Sequence, residues 1–127
     1  MSQRNDSGFR TFTANEAIEL YSRVKIHTDG KVQKAGLAEL GVGTNQTAAA
    51  FADGDEISVK LYSAGGTHKM RCKEAVDVGD AVFTDAAGEI QDTSTSTAFQ
   101  IGFALETTTA EDDICEVVFV PGITAVS

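Results

Sequence analysis

Carboxylates are the side chains in this sequence most suited to chemistry. Asp53-Gly54-Asp55-Glu56 and Glu111-Asp112-Asp113 each gather acids into one short turn. A calcium loop needs about six to eight oxygens drawn from a longer, regularly spaced run. Neither stretch has that spacing, so both read as solvated turns entering strands. Ser63-Ala64-Gly65-Gly66-Thr67-His68-Lys69 has the glycines of a phosphate loop, but not its Gly-Lys-Ser/Thr ending or a helical pattern after it. It reads as a β-turn. His27 and His68 each stand alone beside a turn, with no His or Cys at metal-ligand spacing. There is no Gly-x-Ser-x-Gly elbow, and neither Cys72 nor Cys115 opens a helical pattern. A carboxylate pair for glycoside chemistry depends on spacing in three dimensions, but a chain with no Trp and 2 Tyr is poorly supplied for stacking on sugars. The expectation is a protein that is not an enzyme, with no catalytic residue, no cofactor and no metal.

The elements around these residues read as short strands. Phe9-Arg10-Thr11-Phe12-Thr13 alternates apolar and polar residues, which is strand periodicity. Residues 20–27 form a second strand, and Thr28-Asp29-Gly30 turns it into a return limb at 31–35, because Asp-Gly tolerates the positive φ of a tight hairpin. Strands follow at 40–44, 56–62 and 68–72. Residues 74–80 read as an irregular turn, 81–84 and 89–91 as a hairpin, and 92–97 as an exposed Ser/Thr loop. Strands at 101–104 and 114–120 come last, stopped by Pro121-Gly122. No segment sustains a helical period, although one short helix is allowed at 14–20 or 48–51. The fold class is therefore all-β: a small barrel or sandwich of short, mostly antiparallel strands with an extended N-terminal arm. We assign residues 1–12 to a flexible arm and 13–127 to a single β domain. Strand 114–120 is apolar on both faces, so it is central or covered by a neighbouring subunit.

One pattern repeats. Leu40-Gly41-Val42-Gly43-Thr44 leads through an Ala/Thr-rich link to Asp53-Gly54-Asp55-Glu56-Ile57-Ser58-Val59. Ile101-Gly102-Phe103-Ala104 leads through Thr107-Thr108-Thr109 to Asp112-Asp113-Ile114-Cys115-Glu116-Val117. Each is a strand, a loop, an acidic turn and a strand.

Charge is distributed unevenly along the chain. All 10 Lys and Arg lie in residues 1–73, whereas residues 74–127 hold eleven of the 19 acids and no base. A net charge of −9 argues against a nucleic-acid partner, which needs a basic face. No apolar run approaches a membrane span, so no membrane partner is expected. The polar start Met1-Ser2-Gln3-Arg4-Asn5-Asp6-Ser7-Gly8 lacks the apolar core of a signal peptide. Synthesis in a reducing cytosol with both thiols free follows as an expectation. At 127 residues with 42% hydrophobic content, rich in alanine, the chain can bury one thin core. Oligomerisation is the natural supplement to such a core.

Taken in order, Tyr21-Ser22-Arg23-Val24-Lys25-Ile26, Leu40-Gly41-Val42-Gly43-Thr44, Glu74-Ala75-Val76-Asp77-Val78-Gly79-Asp80-Ala81-Val82-Phe83 and Ile101-Gly102-Phe103-Ala104-Leu105-Glu106 run with the two acidic turns across residues 9–120. In this the chain resembles the small phage capsid decoration, or cement, proteins that stabilise heads. It departs from their pattern at Asp112-Asp113, where Gly-Asp is expected, which puts the geometry of that turn in question. The resemblance implies a homotrimer on the outer surface of an assembled phage head, bound to the major capsid protein and clamping neighbouring capsomers. It implies a virion protein made in the host cytoplasm. A polar arm that orders on contact suits that task, and Arg4, Phe9, Arg10 and Phe12 are its candidate capsid contacts. The alternatives are a tail or baseplate β module and a host-glycan-binding β-sandwich, the latter disfavoured by scarce aromatics.

Overall fold

A computed structural model describes residues 8–127. The first sheet comprises β1 (Phe9–Thr13), β2 (Arg23–Ile26), β3 (Val32–Lys34), β4 (Gly43–Asn45) and β5 (Glu56–Leu61), in the order β1-β5-β4-β2-β3. The second comprises β6 (His68–Arg71), β7 (Ala81–Thr84), β8 (Ile90–Gln91), β9 (Gln100–Ala104) and β10 (Ile114–Phe119), in the order β6-β10-β9-β7-β8. All strand pairs are antiparallel. The all-β expectation holds, and the strands fall close to where the alternation puts them.

The two orders are one order, advanced by five strands. The register repeats as well. Phe12 faces Ile57 across β1–β5, and the residues 58 positions further on, Met70 and Cys115, face each other across β6–β10. Val24 opposite Gly43 becomes Val82 opposite Gly102, and Ile26 opposite Val32 becomes Thr84 opposite Ile90. The repetition legible at 40–59 and 101–117 is thus the visible part of a tandem repeat that covers nearly the whole chain.

In each unit a parallel bridge links the two edge strands, Ala14 to Val32 in the first and Cys72 to Ile90 in the second. The bridges curl each sheet towards a small barrel and cover the edges that would otherwise invite pairing with another chain. The described residues contain no helix. The two segments where one was allowed pair with each other instead, Ile18 and Ala50 exchanging backbone hydrogen bonds of 2.9 Å in both directions. A helix of that length has too few bonds to offset its nucleation cost. The bridge buries Ile18 and Ala50 in the first core.

There are two cores. Phe12, Ile18, Val24, Val32, Ile57 and Val59 fill the first barrel, and Met70, Val76, Val82, Ile90, Ile101 and Val117 fill the second. Residues 9–12, assigned above to the arm, form most of β1 and pair with β5. Both barrels also depend on a glycine in the strand beside β5 or β10. A Cβ on Gly43 would lie 2.2 Å from the Lys60 carbonyl oxygen, and one on Gly102 would lie 1.8 Å from that of Val118. Only a residue without a side chain allows those backbones to approach.

Candidate functional site

The acidic turns use their carboxylates to close a loop. Asp55 Oδ2 accepts hydrogen bonds from the Phe51 and Ala52 N–H groups, at 2.7 and 3.2 Å. Asp113 Oδ2 accepts from Thr109 and Ala110 at 3.0 and 3.1 Å, the repeat of the same motif. These amides hold the Asp113 carboxyl below its ordinary pKa. Asp112 occupies the place of Gly54 without changing the turn. Gly54 has φ 100° and donates its N–H to Ala14, while Asp112 has φ 69° and donates to Cys72. Aspartate is among the few residues that visit this left-handed region. The described residues contain no group of three or more His, Cys, Asp or Glu arranged to hold a metal.

The Gly-Gly segment joins the two barrels. His68, next to it, is fully buried, with Nδ1 2.9 Å from the Thr44 hydroxyl and its ring edge-on to Tyr62. Burial, aided by the charge of Lys60, lowers its pKa to about 4. His68 is therefore a neutral packing residue at the junction, whereas His27 is exposed and contacts Asp29 at 3.3 Å. Cys72 and Cys115 are both buried free thiols, as their strand positions led us to expect. The adjacent Cys115 thiol, with burial, pushes the Cys72 pKa up, which keeps it protonated and unreactive.

The four candidate contact residues fall in different places. Arg4 lies outside the described residues. Phe9 is 39% exposed and Arg10 is also exposed, at the open end of β1. Phe12 is not a surface residue. Its ring turns inward opposite Ile57 into the first core and carries the Arg10 guanidinium 5.0 Å from its centroid.

The most elaborate arrangement of polar groups is the junction between the barrels, and its centre is Arg23. This side chain is fully buried, and all five of its hydrogen bonds go to backbone carbonyls, two of them, Asp85 and Glu89, 62 and 66 residues along the chain. It donates to Glu39, Ala35 and Gly36 in the first barrel, and to Asp85 and Glu89 in the second, at 2.7–3.3 Å. Around it Gln46 Nε2 donates to the Lys69 carbonyl, Arg71 to that of Leu20, and Lys60 to that of Thr67. Tyr62 stacks on Phe119 at 4.2 Å. Arg23 escaped the sequence reading because an arginine in an alternating strand is ordinarily a solvated position.

Beside the junction, a cleft of about 190 Å³ is lined by Glu19, Lys34, Arg71, Ala87, Glu89 and Asp112. Burial, then the neighbouring Asp112 carboxyl, raises the Glu89 pKa to about 7. Lys34 lies 3.5 Å from Glu19 and Arg71 3.8 Å from Asp112. The partners in those two pairs offset each other's charge, whereas Glu89 Oε2 is buried without a hydrogen-bond partner. The geometry is that of two barrels held together at a polar joint.

No protein-family model matches the chain, and no curated protein matches it. Among solved structures, it is similar to the N base of the head fibre protein gp8.5 of bacteriophage phi29. The match covers 88% of this chain and 94% of that one, with a TM-score of 0.65 and 20% sequence identity. At that identity the likeness is one of fold.

Proposed function

We propose that this protein is a structural component of a bacteriophage head, a decoration protein that binds the outer surface of the assembled capsid as a homotrimer and stabilises the lattice. One observation carries the reading: the fold likeness to a head fibre base runs through nearly the full length of both chains. It agrees with the resemblance to cement proteins drawn from the sequence. Two stiff barrels locked by a buried arginine suit a clamp, whose task is to resist deformation rather than to turn over a substrate. Its partner is the major capsid protein, contacted through the start of the chain, with Arg4, Phe9 and Arg10 as the candidate contacts. Many weak copies on a repeating lattice stabilise the assembled shell by mass action. The protein is made in the host cytoplasm and ends on the virion.

Co-sedimentation with capsids stripped of decoration tests this. Saturable binding at a fixed number of copies per capsomer, with higher heat resistance of the shell, is the expected result. Absence of binding to both mature and immature shells would sink the proposal.

A further inference from the structure

The first barrel meets the second through one face, and the second barrel carries the same face exposed. Leu20, Thr44, Gln46 and Tyr62 bond or stack across the junction. Their repeat equivalents are Val78, Phe103, Leu105 and Val120, which are 61%, 37%, 42% and 45% exposed. These four are half of the large apolar side chains that the described residues expose. The chemistry has changed in an unexpected direction. Where the face is covered it is largely polar, and where it is open it is apolar. A contiguous apolar patch on open surface marks a binding site.

The repeat also indicates what fits there. In the junction the covering surface is β6 with the turn at 85–89, which presents His68 to Thr44 and Tyr62. The equivalent surface at the front of the first barrel is β1 with the turn at 27–31. There Arg10 stands where His68 stands, and Ile26 is 49% exposed. The exposed acids Asp77 and Glu106 border the apolar face, and the opposing surface carries two bases, Arg10 and Lys31, and one acid, Asp29.

We propose that a second copy of this chain docks on the face formed by Val78, Phe103, Leu105 and Val120, head to tail, through its own β1 and β2–β3 turn, repeating between chains the junction made within one. The two surfaces differ, so the contact is heterologous and propagates until a ring closes. Closure at three chains, giving six barrels in a ring, rests on the function proposed above; the pair of surfaces does not.

Sedimentation velocity of the full-length chain and two variants tests the proposal. Phe103→Asp spoils one surface and Ile26→Asp the other, both at exposed positions, with far-UV circular dichroism confirming the fold. The wild-type chain should be a closed oligomer and each variant a monomer at the same concentration. Mixing the variants should give a heterodimer and nothing larger, since one intact surface of each kind remains. A wild-type monomer at high micromolar concentration overturns the proposal, as does an oligomer that neither variant disrupts. Capsid co-sedimentation of the same samples separates the two readings. Monomers that decorate shells remove the interface alone, and oligomers that ignore shells remove the head function alone.

Discussion

The two barrels share strand order, register and even the carboxylate-closed turn, but their surfaces have diverged. The first keeps the arginine that locks the junction, and its outer face is Thr44, Gln46 and Lys60. The second has Ala81, Phe103, Leu105 and Val118 at the same places. Interior positions stayed apolar: Val24 matches Val82, Val32 matches Ile90 and Val59 matches Val117, while Met70 and Cys115 stand where the first barrel has Phe12 and Ile57. A barrel core must stay apolar and filled, while an outer face is free to follow its partner. The comparison teaches that one small scaffold has been used once as a joint and once as a presenting surface.

The strongest way to break the comparison is to remove the lock. Arg23→Ala removes the side-chain donor from the buried Asp85 carbonyl, together with the bonds to Ala35, Gly36, Glu39 and Glu89, and should cost about 3 kcal/mol or more. Urea denaturation followed by fluorescence and circular dichroism should then resolve two transitions, one for each barrel. A single transition with a loss under about 1 kcal/mol would mean that the barrels cohere without this side chain.

A smaller effect compares the two acidic turns. Gly54→Ala places a β-carbon in the left-handed region and should destabilise by about 1–2 kcal/mol. Asp112→Gly relieves that strain at the equivalent position and should stabilise by a few tenths of a kcal/mol, the gain being reduced by the freer unfolded chain. Thermal melts of the pair check this, and shifts of the same sign would show that the turns are not equivalent.

The smallest net effect is the pH dependence of the wild-type chain, where two groups near the junction act in opposite directions. His68 has a folded pKa of about 4, below its unfolded value near 6.5. Its contribution is present above pH ~6.5 and is lost as pH falls towards ~4. Glu89 has a folded pKa of about 7, above its unfolded value near 4.5. Its contribution is present below pH ~4.5 and is lost as pH rises through ~7. The two slopes oppose each other in the wild-type chain. Glu89→Gln should leave stability rising with pH across this window, and His68→Gln should leave it falling. Urea titrations at several pH values report the slopes, and unchanged slopes in both variants would remove these groups from the account.

The sequence by itself determined the strands. Period-2 alternation and turn residues are local signals, so β1, the β2–β3 hairpin, the β7–β8 hairpin and the buried thiols were readable without coordinates. It also exposed the repeat at the acidic turns, where identical turn chemistry preserved the residues. The wider repeat was hidden because its strands hold matching register and an apolar interior, not matching letters. Thr44 against Phe103 and Tyr21 against Gly79 look unrelated until pairing aligns them. Tertiary structure alone decided that Phe12 faces the core, that Arg23 is buried, and that one barrel's outer face is covered while the other's is open. Those facts depend on which surfaces meet after residues distant in the chain are brought together, and no local pattern encodes that meeting.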